Sequence, residues 1–240
     1  MLQASRRTGS PDSALVRLLA RLAELEGCES PQNFANRLSQ WLRWTDATPL
    51  FNALQAAPAP RPPARAGAAE AAAAASARLR GALAQAIAEE VAAATAEFRA
   101  PPIQLPGEPR ESTPGFAPYR RCCLARQSAM AAGIEPLRGR LRLALAARSP
   151  ALARLAGVDA VLEQVVGAQE HRLLAGVPRL LEKRFGRLRA GTAPDGGDGW
   201  ILQFQQELQG VLLAELELRW QPIEGLLAAL RSHQGGARAR

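Results

Sequence analysis

From residue 115 onwards the apolar side chains recur at mainly alternating steps of three and four, and few folds are compatible with that spacing. Cys123, Met130, Ile134, Leu137, Leu141 and Ala144 fall on one seam of a segment running from about Phe116 to Arg148. Such patterning predicts a long α-helix of coiled-coil character. At ~1.5 Å per residue it would span roughly 50 Å. Ser149-Pro150 supplies a stop and a new start, so the next helix is either an antiparallel neighbour or one arm of a sharply kinked pair. That second helix is expected to reach about Leu188, with Leu155, Val158, Leu162, Val165, Leu173, Val177, Leu180 and Leu188 as apolar positions. Gly191 to Gly199 reads as a loop in which Asp198 can cap a last helix, Trp200 to about Ser232. Pro136, Pro178 and Pro222 each fall within one of these three rods, where a proline either kinks or breaks the helix.

The N-terminal half carries different punctuation. Ser10-Pro11, Ser30-Pro31 and Thr48-Pro49 are three helix-start signals, and they predict a compact three-helix unit over residues 1–56. Residues 57–67, APAPRPPARAG, hold four prolines and read as a linker. Residues 68–100 form an Ala-rich long helix with Leu79, Leu83, Ile87 and Val91 in a narrow stripe. A second Pro-rich linker covers 101–115, the long-helix bundle 116–232, and a flexible tail 233–240. The fold class expected is all-α: a small N-terminal helical unit plus an elongated antiparallel bundle. Composition agrees, since aromatics are only 5% and the core must come mainly from Leu, Val and Ala.

Chemistry-bearing residues are scarce. His171 and His233 are the two histidines, and with Cys28, Cys122 and Cys123 they show no metal-ligand spacing. Cys122-Cys123 reads as part of a packed helix; a catalytic thiol would need a base that no histidine is placed to supply. The Gly196-Gly197-Asp198-Gly199 loop lacks the Lys-Ser/Thr of a phosphate cradle. The expectation is a protein that is not an enzyme, with no cofactor and no metal. An odd cysteine count with no framework spacing fits a reducing compartment. No apolar run resembles a signal peptide or a membrane span, so cytoplasm is the expected location.

Charge is the one feature with direction. The net charge is +8, carried almost wholly by arginine, with Lys183 the single lysine. Arginine and alanine share GC-rich codons, which is one source of the excess. Between Gly115 and Ala156 eight arginines face a single acid, Glu135. Either these arginines pair with the acids of neighbouring helices, which is the favoured reading, or they meet an anionic partner, nucleic acid or acidic membrane. Arg120, Arg121, Arg138 and Arg142 are the candidate contacts for such a partner. Trp41 and Trp44, with Phe34 and Phe51, read first as a local core and second as a docking patch for another protein.

Six strings, Ala14–Arg21 (ALVRLLAR), Leu38–Asp46 (LSQWLRWTD), Pro136–Arg142 (PLRGRLR), Ala147–Leu155 (ARSPALARL), Gly176–Lys183 (GVPRLLEK) and Val211–Leu230, resemble an uncharacterised bacterial domain-of-unknown-function family, number 3348. They lie towards both ends of the chain, so the resemblance spans nearly its full length. It implies bacterial origin and a helical protein, and no activity. It also implies neighbours of the cell envelope, hence an accessory of an envelope-associated assembly. Taken with the empty catalytic inventory, the expected function is a non-enzymatic helical adaptor for a protein partner. The alternative is a basic helical protein that binds nucleic acid or acidic membrane through residues 115–156.

Overall fold

A computed structural model of the 240-residue chain describes residues 14–15, 17–19, 44–55, 67–100, 115–191 and 197–238. Among the described residues there are helices and no strand: α1 Trp44–Gln55, α2 Ala68–Arg99, α3 Ala117–Ala146, α4 Pro150–Leu174, α5 Val177–Ala190 and α6 Gly199–Arg238. The fold is all-α, as the apolar spacing predicts.

The seam on α3 organises the bundle. Cys123, Met130, Ile134, Leu137 and Leu141 are buried, and Leu145 rather than Ala144 closes the row. α2, α4, α5 and α6 all pack on α3. Gly133 lies opposite Leu79, Glu90 pairs with Arg126 and Glu97 with Arg121, so α2 runs antiparallel to α3. A methyl group at position 133 would meet Leu79 Cδ1 at 3.2 Å, so glycine there lets the two helices approach closely. Arg80 pairs with Glu217 and Glu224 while Arg99 reaches Asp198, so α6 is antiparallel to α2 and parallel to α3. α4 returns antiparallel along α3, and α1 lies on α4.

One end of the bundle is aromatic. Phe98 of α2, Phe116 and Tyr119 at the start of α3, Phe185 of α5, and Trp200 and Phe204 of α6 stack at centroid separations of 5.0–6.1 Å. Most of these pairs are tilted or edge-on, the geometry that ring quadrupoles favour. A chain with few aromatics has gathered most of them where four helices converge.

The helix starts follow local chemistry. Ser149 Oγ accepts from Leu152 N–H at 3.3 Å, the cap expected before Pro150. Gly67, directly before α2, adopts φ 78°, a left-handed conformation that glycine holds cheaply. Asp198 receives Ile201 and Leu202 N–H on its backbone carbonyl, while its carboxylate turns to Arg99.

Several expectations need correction. The second rod is two helices, because the chain turns at Ala175-Gly176 and Pro178 falls in the first turn of α5. A proline there removes no bond that the new helix would have made. α3 and α6 instead run continuously through Pro136 and Pro222. Pro136 is exposed, so the carbonyl of Ala132 that loses its donor can turn to water. α1 begins at Trp44, four residues before the expected start, and contains Pro49. α6 extends to Arg238 instead of ending at Ser232, through Gly235 and Gly236. Ala14, Leu15 and Arg17–Leu19 are helical, and Leu15 is buried in the same core as the bundle. The described parts of the N-terminal unit therefore rest on the bundle. The predicted second helix, including Phe34, Leu38 and Trp41, lies outside the described residues.

Phe204 is fully buried and touches the rings of Phe116, Tyr119 and Phe185. Phe204→Ala should cost about 3–5 kcal/mol in chemical denaturation. Leu202→Ala, two residues away on a half-exposed position, should change stability by less than about 0.5 kcal/mol.

Candidate interaction surface

The arginines of α3 recur at helical spacing, and so do the acids of α4, so an antiparallel pairing brings them face to face. Arg138 and Arg142 lie one turn apart on α3; Asp159 and Glu163 lie one turn apart on α4. Arg138 grips Asp159 with two hydrogen bonds, Nε to Oδ2 at 2.8 Å and Nη2 to Oδ1 at 2.7 Å. Arg142 Nη1 donates to Asp159 Oδ2 at 3.1 Å and to Glu163 Oε2 at 2.6 Å. All four groups are largely shielded, the Asp159 side chain to 10% exposure and that of Arg138 to 13%. Paired acids hold the Arg142 guanidinium charged: burial pulls its pKa down, and Glu163 and Asp159 together push it up further.

The other arginines named from sequence are engaged too. Arg120 pairs with Glu182 of α5, Arg121 with Glu97 of α2, and Arg126 with Glu90 of α2. Arg120, Arg121, Arg138 and Arg142 therefore do not form one free basic face. They point to three different neighbouring helices, and each has an acid. Of the eight arginines between 115 and 156, five pair inside the bundle in this way, and Arg140, Arg148 and Arg154 meet no acid among the described residues. An anion binding at the four candidate side chains would have to displace a carboxylate from each.

A second polar cluster sits where α4 ends. Glu215 of α6 is fully buried. It accepts from Gln127 Nε2 of α3 at 2.9 Å and from Arg219 Nε at 2.9 Å. Gln127 Nε2 also donates to the carbonyl of Leu174 at 2.9 Å, which satisfies a terminal carbonyl of α4 at the break. Glu170 lies 3.9 Å from Arg219, and burial raises its pKa above the ordinary carboxylate value despite the opposing pull of Arg219 and Arg138. On α6, Glu207 behaves oppositely. Burial pushes its pKa up, but hydrogen bonds from Arg184 and Gln203 outweigh this and leave it lowered.

The cysteines have the electrostatics of packed thiols. Burial raises Cys122 to about 11 and Cys123 to about 12, so both are protonated at neutral pH and poor nucleophiles. Arg126 pulls the Cys122 value down, but Glu90 offsets it. His171 is exposed, and among the described residues no three His, Cys, Asp or Glu side chains converge as a metal site would require.

The sequence-predicted docking patch is divided. Trp41 lies outside the described residues; Trp44 opens α1, with its side chain outside the described part. The structure instead draws attention to Phe51 and Leu54 of the same helix, exposed to 61% and 58%. Phe51 was expected in a local core. Asp159, the most tightly held acid among the arginines, has no signal of its own in sequence; only its spacing from Glu163, matched to Arg138 and Arg142, could have pointed to it.

Asp159→Ala leaves two shielded guanidiniums with Glu163 alone, and should cost about 3 kcal/mol in a denaturant titration, the low end for breaking a buried pair. Glu182→Gln, on an exposed pair, should cost no more than about 1 kcal/mol. Glu170 supplies a pH test. Its folded form holds a proton more tightly than the unfolded chain does. Its contribution is therefore fully present below the ordinary carboxylate pKa and is lost as pH rises through the folded value. Glu170→Gln should match the parent in acid and exceed its melting temperature at neutral pH.

Against known proteins, the model of a family described as proteins of unknown function, number 3348, matches residues 1–232. No curated protein and no solved structure matches the chain.

Proposed function

Because this chain belongs to that family of proteins of unknown function (DUF3348), whose description assigns no activity, we propose a function from geometry alone: a cytoplasmic, non-enzymatic helical scaffold that docks a protein partner. The observation that carries the reading is α1. One side of this short helix is anchored on α4, and Phe51 and Leu54 project into solvent from it. Large apolar side chains more than half exposed on a well-anchored helix are what a partner's groove accepts. The rest of the inventory is consistent. Arg120, Arg121, Arg138 and Arg142 are engaged with acids, and the buried thiols are held protonated. Among the described residues no helix is long and apolar enough to cross a membrane.

Affinity purification from the native cell at near-physiological salt should recover a stoichiometric protein partner with the parent chain. Phe51→Ala/Leu54→Ala should lose it while keeping the parent's circular-dichroism spectrum. Equal recovery with both chains would remove α1 from the role. Recovery of nucleic acid in place of protein, released steeply by added salt, would replace the scaffold with an anion-binding function.

A further inference from the structure

In α5 five cations, Arg179, Lys183, Arg184, Arg187 and Arg189, stand against one acid, Glu182. Two of these charges are taken up by other helices: Arg184 pairs with Glu207 of α6, and Glu182 with Arg120 of α3. Arg179 and Arg189 meet no acid among the described residues, and neither does Arg172 in the last turn of α4.

The cations share a face. Arg172, Ala175, Arg179, Lys183, Gly186 and Ala190 follow one another at steps of three and four, and all are exposed. The stripe continues across the turn between the two helices because Ala175 and Gly176 keep right-handed helical backbone angles. On α5 it lies opposite Val177, Leu181 and Phe185, which are buried. Arg189, also exposed, stands beside its far end. From Arg172 to Arg189 the row spans roughly 25 Å, about seven base-pair steps of a DNA duplex. Small side chains separate the cations, so a phosphate backbone can approach closely.

Arg179 is not explained by the helix it sits on. A helix dipole favours cations in the last turn, which accounts for Arg172 and Arg189. Arg179 is the third residue of α5, at the positive end, and the first turn holds no acid to offset it. A guanidinium there is unfavourable to the helix itself. The face also restricts the partner. None of the large apolar side chains exposed among the described residues falls between Leu155 and Leu202. A protein interface would use such anchors at its centre, and a helix lying on a membrane would insert them. Single strands stack their bases on aromatic rings, and Phe185, the one ring of α5, is buried.

We propose that the last turn of α4 and the outer face of α5 bind duplex nucleic acid through its phosphates, without reading its bases, and that Arg172, Arg179, Lys183 and Arg189 make the contacts. A row of cations with small residues between them supplies the charge that a phosphate backbone requires and nothing that reads a sequence. This surface is separate from α1, so the proposal does not depend on the scaffold reading.

Titrating the full chain into a fluorescent duplex of roughly 20 base pairs, as DNA and as RNA, and following anisotropy tests it. At about 50 mM salt the parent should bind in the micromolar range, and about 200 mM salt should weaken binding roughly a hundredfold, as four phosphate contacts require. Arg172→Gln/Arg179→Gln/Lys183→Gln/Arg189→Gln should lose at least about tenfold in affinity at the lower salt and most of the salt dependence. Arg179→Gln alone should reduce the slope of log affinity against log salt by about one. Arg78→Gln/Arg140→Gln/Arg154→Gln/Arg231→Gln removes as many charges from exposed sites elsewhere and should stay within about threefold of the parent. All these sites are exposed, so each variant should keep the parent's helical spectrum. Failure of the parent to bind either duplex at the lower salt overturns the proposal. So does equal weakening by the two fourfold variants, which reduces the effect to net charge, or binding confined to phosphatidylserine vesicles, which assigns the face to a membrane.

Discussion

The structure depends on burying the inner seam of α3. Leu137, Leu141 and Leu145 are almost wholly out of water, and each such side chain is worth about 1.5–3 kcal/mol of transfer free energy. That burial requires helices on several sides at once. α2, α4 and α6 supply them, with Gly133 permitting the close approach of α2. Once three helices surround a fourth that carries six arginines between 120 and 142, their charges cannot be left to chance. Each arginine near a neighbour must meet an acid or lose hydration uncompensated.

The ion pairs answer that demand, and they differ in weight. Asp159 with Arg138 and Arg142 is shielded, multidentate and expensive to break. Arg120–Glu182 and Arg121–Glu97 are open to water and contribute little. The shielded group fixes how α4 returns along α3. Glu215, Gln127 and Arg219 do the corresponding work at the other end of α4, where the chain turns into α5. Polar contacts therefore mark the two places where an apolar seam alone would allow the helices to slide.

This arrangement changes the meaning of a strongly basic composition. A net charge of +8 suggests an anionic partner when read as a sum. Read residue by residue, five of the eight arginines in the most basic segment, residues 115–156, are matched by acids from other helices. Among the side chains left exposed are the apolar Phe51 and Leu54 of α1 as well as the basic Arg140 and Arg154.

The sequence by itself determined the fold class, the extent of α2 and α3 to within a few residues, the cap at Ser149, and the identity of the α3 core. Spacing of three and four encodes one buried face directly, and capping depends on residues adjacent in the chain. Only the tertiary structure decided that Pro178 starts a new helix while Pro136 and Pro222 sit inside continuous ones, because all three interrupt similar apolar patterns and differ in what surrounds them. It also decided which acid meets which arginine. A charged residue on a helix reads as solvent-facing until another helix is laid beside it, and Asp159 is buried only because α4 returns along the one face of α3 that carries Arg138 and Arg142.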